Sequence, residues 1–565
     1  MWLNSNTVQF FVRRHTVFAV ALFGLCLLTR WVAAVDTVND FGIPQVAEIN
    51  RQIRGVWQEY EMSASPPATE GEWCRRVHLD LIGRIPTVHE LDAYLNAPVK
   101  TKRADLVKKL LYDDSYVAEY ARHWTTNWTN LLIGRSGGTA NGSVIDRAGL
   151  QKYLRDSFAQ DKPYDRFVYE LISADGSNTP GAAGFNGAVN FLIGKLDENA
   201  AQATADTSRI FLGMQVQCTQ CHNHPFNNWK QAKFWEMNAF FRQTVVARQF
   251  ETGTRMVRVA ELTNQDFAGE GGQPLEAEIY YELRNGLLKV AYPVFVDGTE
   301  VGRSGFVSDV NRREELADLV VGSPYMSEAA VNRMWAHFLG YGFTKPVDDM
   351  RPDNIPSHPE LLDYLARELA SHRFELKQLM QWIALSEPYS LSSRMTRSNV
   401  SDDPQMGNAP RFSHFYLRQM QAEQLYESLI TATQAHKTRS SYEQQETDKN
   451  VWLQQFVSAF GTDEGGESTT FNGSIQQALM LFNGDLIKRA TSLDQGGFLH
   501  TIASGNLSNV RKINYLYMAG LARRPTQQEK FAANQLLLAR QGDVTAALQD
   551  IWWAILNSNE FILNH

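Results

Sequence analysis

The sequence predicts a mainly α, multi-domain helical protein with a small β insert near residues 244–308. Three observations carry this. Apolar residues recur at helical spacing through most of 36–243 and again from 309 onward. Only within 244–308 does the period fall towards two, in TRMVRVAEL, AEIYYEL and GLLKVAYPVFV, with Gly-rich turns between them. The 565 residues are 44% apolar and include 30 Phe and 13 Trp, enough to fill large cores and to exclude wholesale disorder. Length alone suggests about two to four domains.

The elements follow in order. Residues 36–62 read as helix, with Val46, Ile49, Ile53, Val56 and Trp57 on one face. SASPPATEGE (63–72) is a loop. Residues 73–95 read as helix, Gly-Arg-Ile-Pro turn and second helix, the latter opened by Thr87 with Glu90 three residues on. Residues 102–132 give two amphipathic helices with His123, Trp124 and Trp128 on neighbouring turns. A Gly-rich loop (134–143) precedes helix over 147–173, broken at Pro163. GSNTPGAAGFNG (176–187) reads as a flexible loop whose glycines lack phosphate-loop spacing. A helix from about Ala201 leads into a cysteine pair, and 233–243 continues as helix after it. Helix resumes at RREELADLVV and dominates 311–390. Residues 391–412 and 434–472 are polar and loop-rich, with a helix near 417–433 between them, and helices close the chain from 474. The changes of character divide the chain into a leader (1–34), a helical domain (36–243), the β insert (244–308) and a helical C-terminal domain (309–565).

The leader has a physical reading. Arg13 and Arg14 precede the apolar run TVFAVALFGLCLLT, and Val32, Ala33 and Ala34 form a small-residue cleavage signal. The run is shorter than the ~20 residues that span a bilayer, and Arg30 interrupts it. A secretory signal peptide and an exported protein, periplasmic or at the cell surface, are therefore expected. Any membrane attachment would be through this segment left uncleaved. Removing 1–34 takes three of the 54 basic residues and none of the 62 acidic ones, so the formal charge moves from −8 to −11. That balance argues against nucleic acid as a partner. One of the four cysteines, Cys26, leaves with the leader. The remaining three, Cys74, Cys218 and Cys221, are an odd number, so no disulfide framework is expected. Cys74 shares an apolar helical face with Val77 and Leu81 and is expected in the core.

Chemistry concentrates in SRIFLGMQVQCTQCHNHPFNNW (208–229), which holds Cys218, Cys221, His222 and His224. Cys-x-x-Cys-His is the attachment pattern for a c-type haem, with both thiols joined to the porphyrin and the histidine ligating iron. Such assembly takes place outside the cytoplasm, which the leader permits. On this reading Cys218, Cys221 and His222 hold haem c. Met237, Met334 and His337 are the candidates by residue type for the sixth iron position, and His224 serves nearby or ligates another metal. Three other readings stand beside it. A structural Cys218–Cys221 disulfide is one. A zinc site drawn from the two cysteines and two histidines is another. A thiol-exchange pair is the third, although here the pair follows a helix instead of opening one.

The motif and its flanks resemble a known family. SRIFLGMQVQCTQCHNHPFNNWKQAKFWEMNAFF, RRVHLDLIGRIPTVHELDAYL and KRADLVKKLLYDDSYVAEYARHWTTNW are similar to the planctomycete cytochrome-c-like domain of unknown function. VNRMWAHFLGYGFTKPVDDMRPDNIPSHPELLDYLA, FSHFYLRQMQAEQLYESL, QALMLFNGD and AILNSNEFILNH resemble its usual C-terminal partner, also a domain of unknown function. The resemblance implies an exported bacterial protein and assigns no activity. In one place the chain departs from the family pattern: Asn227 stands where His-Pro-Phe-Asp is usual, which weakens any hard-cation role beside His224.

The loop VDDMRPDN carries Asp348, Asp349, Arg351 and Asp353, followed by Ser357 and His358. It reads first as the approach to a helix, with Ser357 as N-cap and Glu360 at the positive end. A metal-dependent hydrolase built from His222, His224 and these carboxylates is a further possibility. The leading functional expectation is an exported c-type cytochrome-like redox protein with an electron partner. The alternative is an exported binding or scaffold protein, for instance one associated with polysaccharide, in which Cys218–Cys221 is a disulfide.

Overall fold

The computed structural model describes residues 39–224, 229–250, 252–253, 257–461 and 474–565; the leader and Asn227 lie outside them. The architecture is mainly α. Among the described residues no helix is long and apolar enough to cross a membrane.

The first core joins both halves of the chain. Helices Pro44–Glu59, Glu70–Ile82, Val117–Ile133, Tyr164–Ser173 and Asp197–Leu212 pack with Arg312–Gly322, Pro324–Leu339, Pro359–Ser371 and Leu376–Ala384. One continuous apolar cluster therefore runs from Val46 to Tyr416, with Met518 and Ala522 added from further on. The second core gathers helices Ala422–Thr433, Tyr442–Phe460, Asn509–Leu521 and Val544–Leu556, and takes in Leu79 and Ile85 from the N-terminal half.

Local chemistry sets several boundaries. Thr87 caps helix Val88–Leu95 in a reciprocal box. Its hydroxyl accepts from the Glu90 N–H at 3.2 Å, and Glu90 Oε2 accepts from the Thr87 N–H at 2.7 Å. Helix Pro359–Ser371 starts one residue later than the Ser357 cap predicted. His358 occupies the N-cap, while the Ser357 N–H donates to the Phe343 carbonyl at 2.7 Å and its hydroxyl meets His358 Nδ1 at 2.9 Å. The tertiary partner of Ser357 overrode its local preference.

The strands of the 244–308 insert lie at Thr244–Phe250, Val257–Asn264, Ile279–Glu282 and Leu288–Ala291. The first two pair antiparallel, and Gly176–Ser177 adds a third short strand beside Val257–Asn264. The segment 176–187, expected as a flexible loop, is thus tied down at its start. Asn178 exchanges two hydrogen bonds with Ala260, one from its backbone N–H and one to its side-chain oxygen, both at 2.9 Å. Alternation in the partner strand was legible; the pairing of a Gly-rich segment against it was not. Ile279–Glu282 and Leu288–Ala291 form a separate hairpin that packs Ile279, Tyr281 and Ala291 on Ala239.

Candidate functional site

Helix Asp197–Leu212 stops at Gly213, whose φ of 66° is the left-handed conformation that glycine adopts without a Cβ penalty. A Cβ there would also lie 2.7 Å from Met350 Sδ. The close approach is used: the Met350 N–H donates to the Gly213 carbonyl at 2.7 Å, which seats the acidic loop on the end of this helix. The helix does not run straight into the cysteines as expected. A short link leads from Gly213 to a 3-10 turn over Gln217–Gln220.

That turn is held from inside and open outside. Thr219 is fully buried, and its hydroxyl donates to the Val216 carbonyl at 2.6 Å. The Gln220 carbonyl accepts from Trp235 Nε1 and Gln231 Nε2, each at 3.1 Å, and Gln231 Nε2 also donates to the Glu282 carbonyl at 2.9 Å. Trp235 stacks on Tyr281 at 6.0 Å, so the turn, the following helix and the β hairpin are one assembly. From this base Cys218 and Cys221 are exposed and are not bonded to each other. His222 is half-buried, and its Nδ1 lies 2.7 Å from the Asn223 carbonyl. A ring N–H pointed at a carbonyl fixes the tautomer and leaves Nε2 as the basic nitrogen. Cys74, by contrast, is fully buried, and burial pushes its thiol well above the ordinary value.

The acidic loop meets the segment after this turn through Arg351 and His224. Arg351 Nη1 lies 3.4 Å from His224 Nε2, and Arg351 pairs with Asp349 at 2.5 Å. Asp348 accepts from Arg209 at 2.9 Å and from Gln215 at 2.7 Å. Burial raises the Asp348 carboxyl, but Arg333, Arg209 and Gln215 outweigh it and hold the group below its ordinary value. Asp349 is pushed up, by burial first. Asp348 thus docks the loop on Arg209 and Gln215, while Asp349 pairs within the loop. His358 is buried against Phe343 and Phe412, away from the histidine pair. Among the described residues no three His, Cys, Asp or Glu side chains converge as a metal site.

A cavity of about 370 Å³ adjoins the turn and is bordered by Asp206, Arg209, Gln215, Cys218, His224 and Arg351. For covalent haem the donors fit: two exposed thiols three residues apart, then an imidazole with Nε2 left basic. The surroundings are charged instead of apolar, and none of the expected sixth-position residues borders this cavity. Met237 is buried in the first core, and Met334 and His337 border a different cavity.

Sequence reasoning missed a buried polar hub. Helix Glu70–Ile82 carries Arg75, Arg76 and Asp80 among Trp73, Val77 and Leu81, all buried. Asp80 accepts from Arg418 Nη2 at 2.8 and 3.0 Å, from the Tyr389 hydroxyl at 2.7 Å and from Asn564 Nδ2 at 2.9 Å. Arg76 donates to the carbonyls of Tyr389, Leu391 and His565, and Arg75 to those of Phe561 and Leu563. Burial lowers both guanidinium groups to about 10, still charged at neutral pH. The available signal was three charges on an apolar helix face, which a solvated helix would not carry.

Comparison with known protein families gives two matches. Residues 48–245 match PSCyt2, described as a protein of unknown function (DUF1549), and residues 312–537 match PSD1, described as a protein of unknown function (DUF1553). No curated protein and no solved structure matches the chain.

Proposed function

We propose that this chain, a DUF1549 domain followed by a DUF1553 domain, is an exported c-type haem redox protein. Cys218 and Cys221 would carry the thioether links, and His222 Nε2 would ligate iron. The observation that supports this best is the 2.7 Å contact of His222 Nδ1 with the Asn223 carbonyl beside two exposed, unbonded thiols. A ligating imidazole calls for such a contact at its other nitrogen, which a purely structural disulfide does not require. Export rests on the residue 1–34 pattern.

In this reading bound haem supplies one-electron chemistry. The chain's part is to hold the turn. Thr219, Gln231 and Trp235 fix its backbone, so the two sulfurs and the imidazole keep their spacing. Arg209 and Arg351 put charge on its border.

The full chain should be produced in a host with haem-attachment machinery and extracted with acid acetone. A Soret band that stays with the protein is expected, lost in Cys218→Ala/Cys221→Ala and shifted in His222→Ala. Colourless protein from such a host overturns the reading. If the unreduced peptide spanning 210–230 then proves two hydrogens lighter, the disulfide alternative takes its place.

A further inference from the structure

The hairpin of strands Ile279–Glu282 and Leu288–Ala291 has two unlike faces. One packs Ile279, Tyr281 and Ala291 on Ala239 and Trp235. On the other, the cross-strand pairs Tyr280–Val290 and Glu282–Leu288 stand side by side, and Leu287 adjoins them in the turn. Tyr280, Leu287, Leu288 and Val290 are between 38% and 62% exposed. Every residue from Arg284 to Val290 is exposed, so the tip projects from the body of the chain. Single exposed apolar side chains are ordinary, but a group of them on one projecting hairpin marks a surface for a partner.

A closed turn presents these side chains. The Leu283 N–H donates to the Leu287 carbonyl at 2.9 Å, the Gly286 N–H to the Leu283 carbonyl at 2.8 Å, and the Leu287 N–H to Asn285 Oδ1 at 3.1 Å. Gly286, with φ of 79°, supplies the left-handed residue in this closure.

Charge selects the class of partner. Arg284 and Lys289 are exposed, and neither forms an ion pair among the described residues. Glu270 and Glu278 are engaged at the far end of the hairpin. Glu270 accepts from the Tyr280 N–H at 2.7 Å and from Arg242 at 2.8 Å, and Glu278 accepts from the Tyr280 hydroxyl at 3.1 Å. Glu282 is the one carboxylate on the two strands, so residues 282–290 carry two cations against one anion. Another protein chain suits this surface less well. The sheet has two strands, so both are edges, and Lys289 within one of them is the type of residue that keeps an edge from pairing with a further strand. The tip borders neither cavity described above, so neither offers a groove there for a peptide side chain. A projecting aliphatic tip with unpaired cations matches a bilayer, which is apolar within and anionic at its surface.

We infer that this tip docks on an anionic lipid surface, with Leu287, Leu288 and Val290 entering the headgroup layer and Arg284 and Lys289 meeting the phosphates. The contact is separate from the leader. It does not depend on haem, because the Cys218 turn is held by Gln231 and Trp235 and by none of these side chains.

The test is co-sedimentation of the chain from Val35 onward, the form expected after export, with vesicles of phosphatidylcholine alone and of phosphatidylcholine mixed with an equal part of phosphatidylglycerol. The mixed vesicles should bind it at least roughly fivefold more tightly, the factor for about one cation near an anionic surface. Leu287→Ser/Leu288→Ser should weaken that binding by roughly tenfold or more, through the loss of two aliphatic side chains from the apolar layer. Arg284→Gln/Lys289→Gln should remove the preference for phosphatidylglycerol. No binding to the mixed vesicles overturns the inference. So does equal affinity for both kinds of vesicle, a natively folded leucine variant that binds as the parent does, or a cation variant that keeps the preference. Dimerisation without lipid that the leucine substitutions abolish also overturns it, and assigns the face to a second copy of the chain.

Discussion

At the scale of single residues, Asp80 ties distant parts of the chain together. It is fully buried and receives Arg418, Tyr389 and Asn564 from three distant parts of the chain. Removing one partner of a buried pair leaves an uncompensated charge, so Asp80→Ala should cost about 3–5 kcal/mol. A urea midpoint unchanged from the parent would contradict that. Buried histidines set a pH dependence. Burial lowers His78 and His358 from 6.5 to about 4. The folded state therefore holds them neutral while the unfolded chain takes up protons, and stability is lost as pH falls from about 6.5 towards 4. Urea midpoints should decline between pH 7 and pH 5, and His358→Gln should flatten part of that slope.

At the scale of elements, the join between helix Asp197–Leu212 and the acidic loop rests on Gly213. A side chain there would face both a left-handed backbone and Met350. Gly213→Ala should destabilise by about 1–2 kcal/mol from the backbone alone. It should also loosen the loop that carries Arg351, read as faster hydrogen exchange at Met350, whose N–H now donates to Gly213. The Cys218–Cys221 turn leans on Gln231 and Trp235, which come from the next helix, and through Tyr281 on the hairpin. In Trp235→Ala the turn loses the Nε1 bond and the stacked ring. The thiols of that variant should react with a thiol reagent at a different rate from the parent, whereas an equal rate would mean the hairpin does not support the turn.

At the scale of the whole molecule, the first core is shared between the N-terminal helices and helices from Arg312 to Ala384. A fragment ending at residue 308 would expose the apolar faces that those helices cover. It should lack a native near-UV dichroism spectrum, while the full chain has one. A fragment with a native spectrum would show that the N-terminal region closes its own core. Arg75 and Arg76 also clasp the backbone of 561–565, so deleting Asn564 and His565 should lower the thermal midpoint measurably.

What the sequence determined by itself was local. Helical periodicity, the Thr87–Glu90 box, the strands after residue 244 and the grouping of Cys218, Cys221 and His222 all depend on neighbours a few residues apart. The acidic loop was visible as a cluster, but its docking beside His224 was not, because Arg351 and His224 are 127 positions apart. The same holds for Asp80 and Arg418, separated by 338 positions. Periodicity tells which face of a helix is buried; which distant charge it is buried against is decided only when the chain closes on itself, since a buried ion requires a partner that sequence spacing does not name.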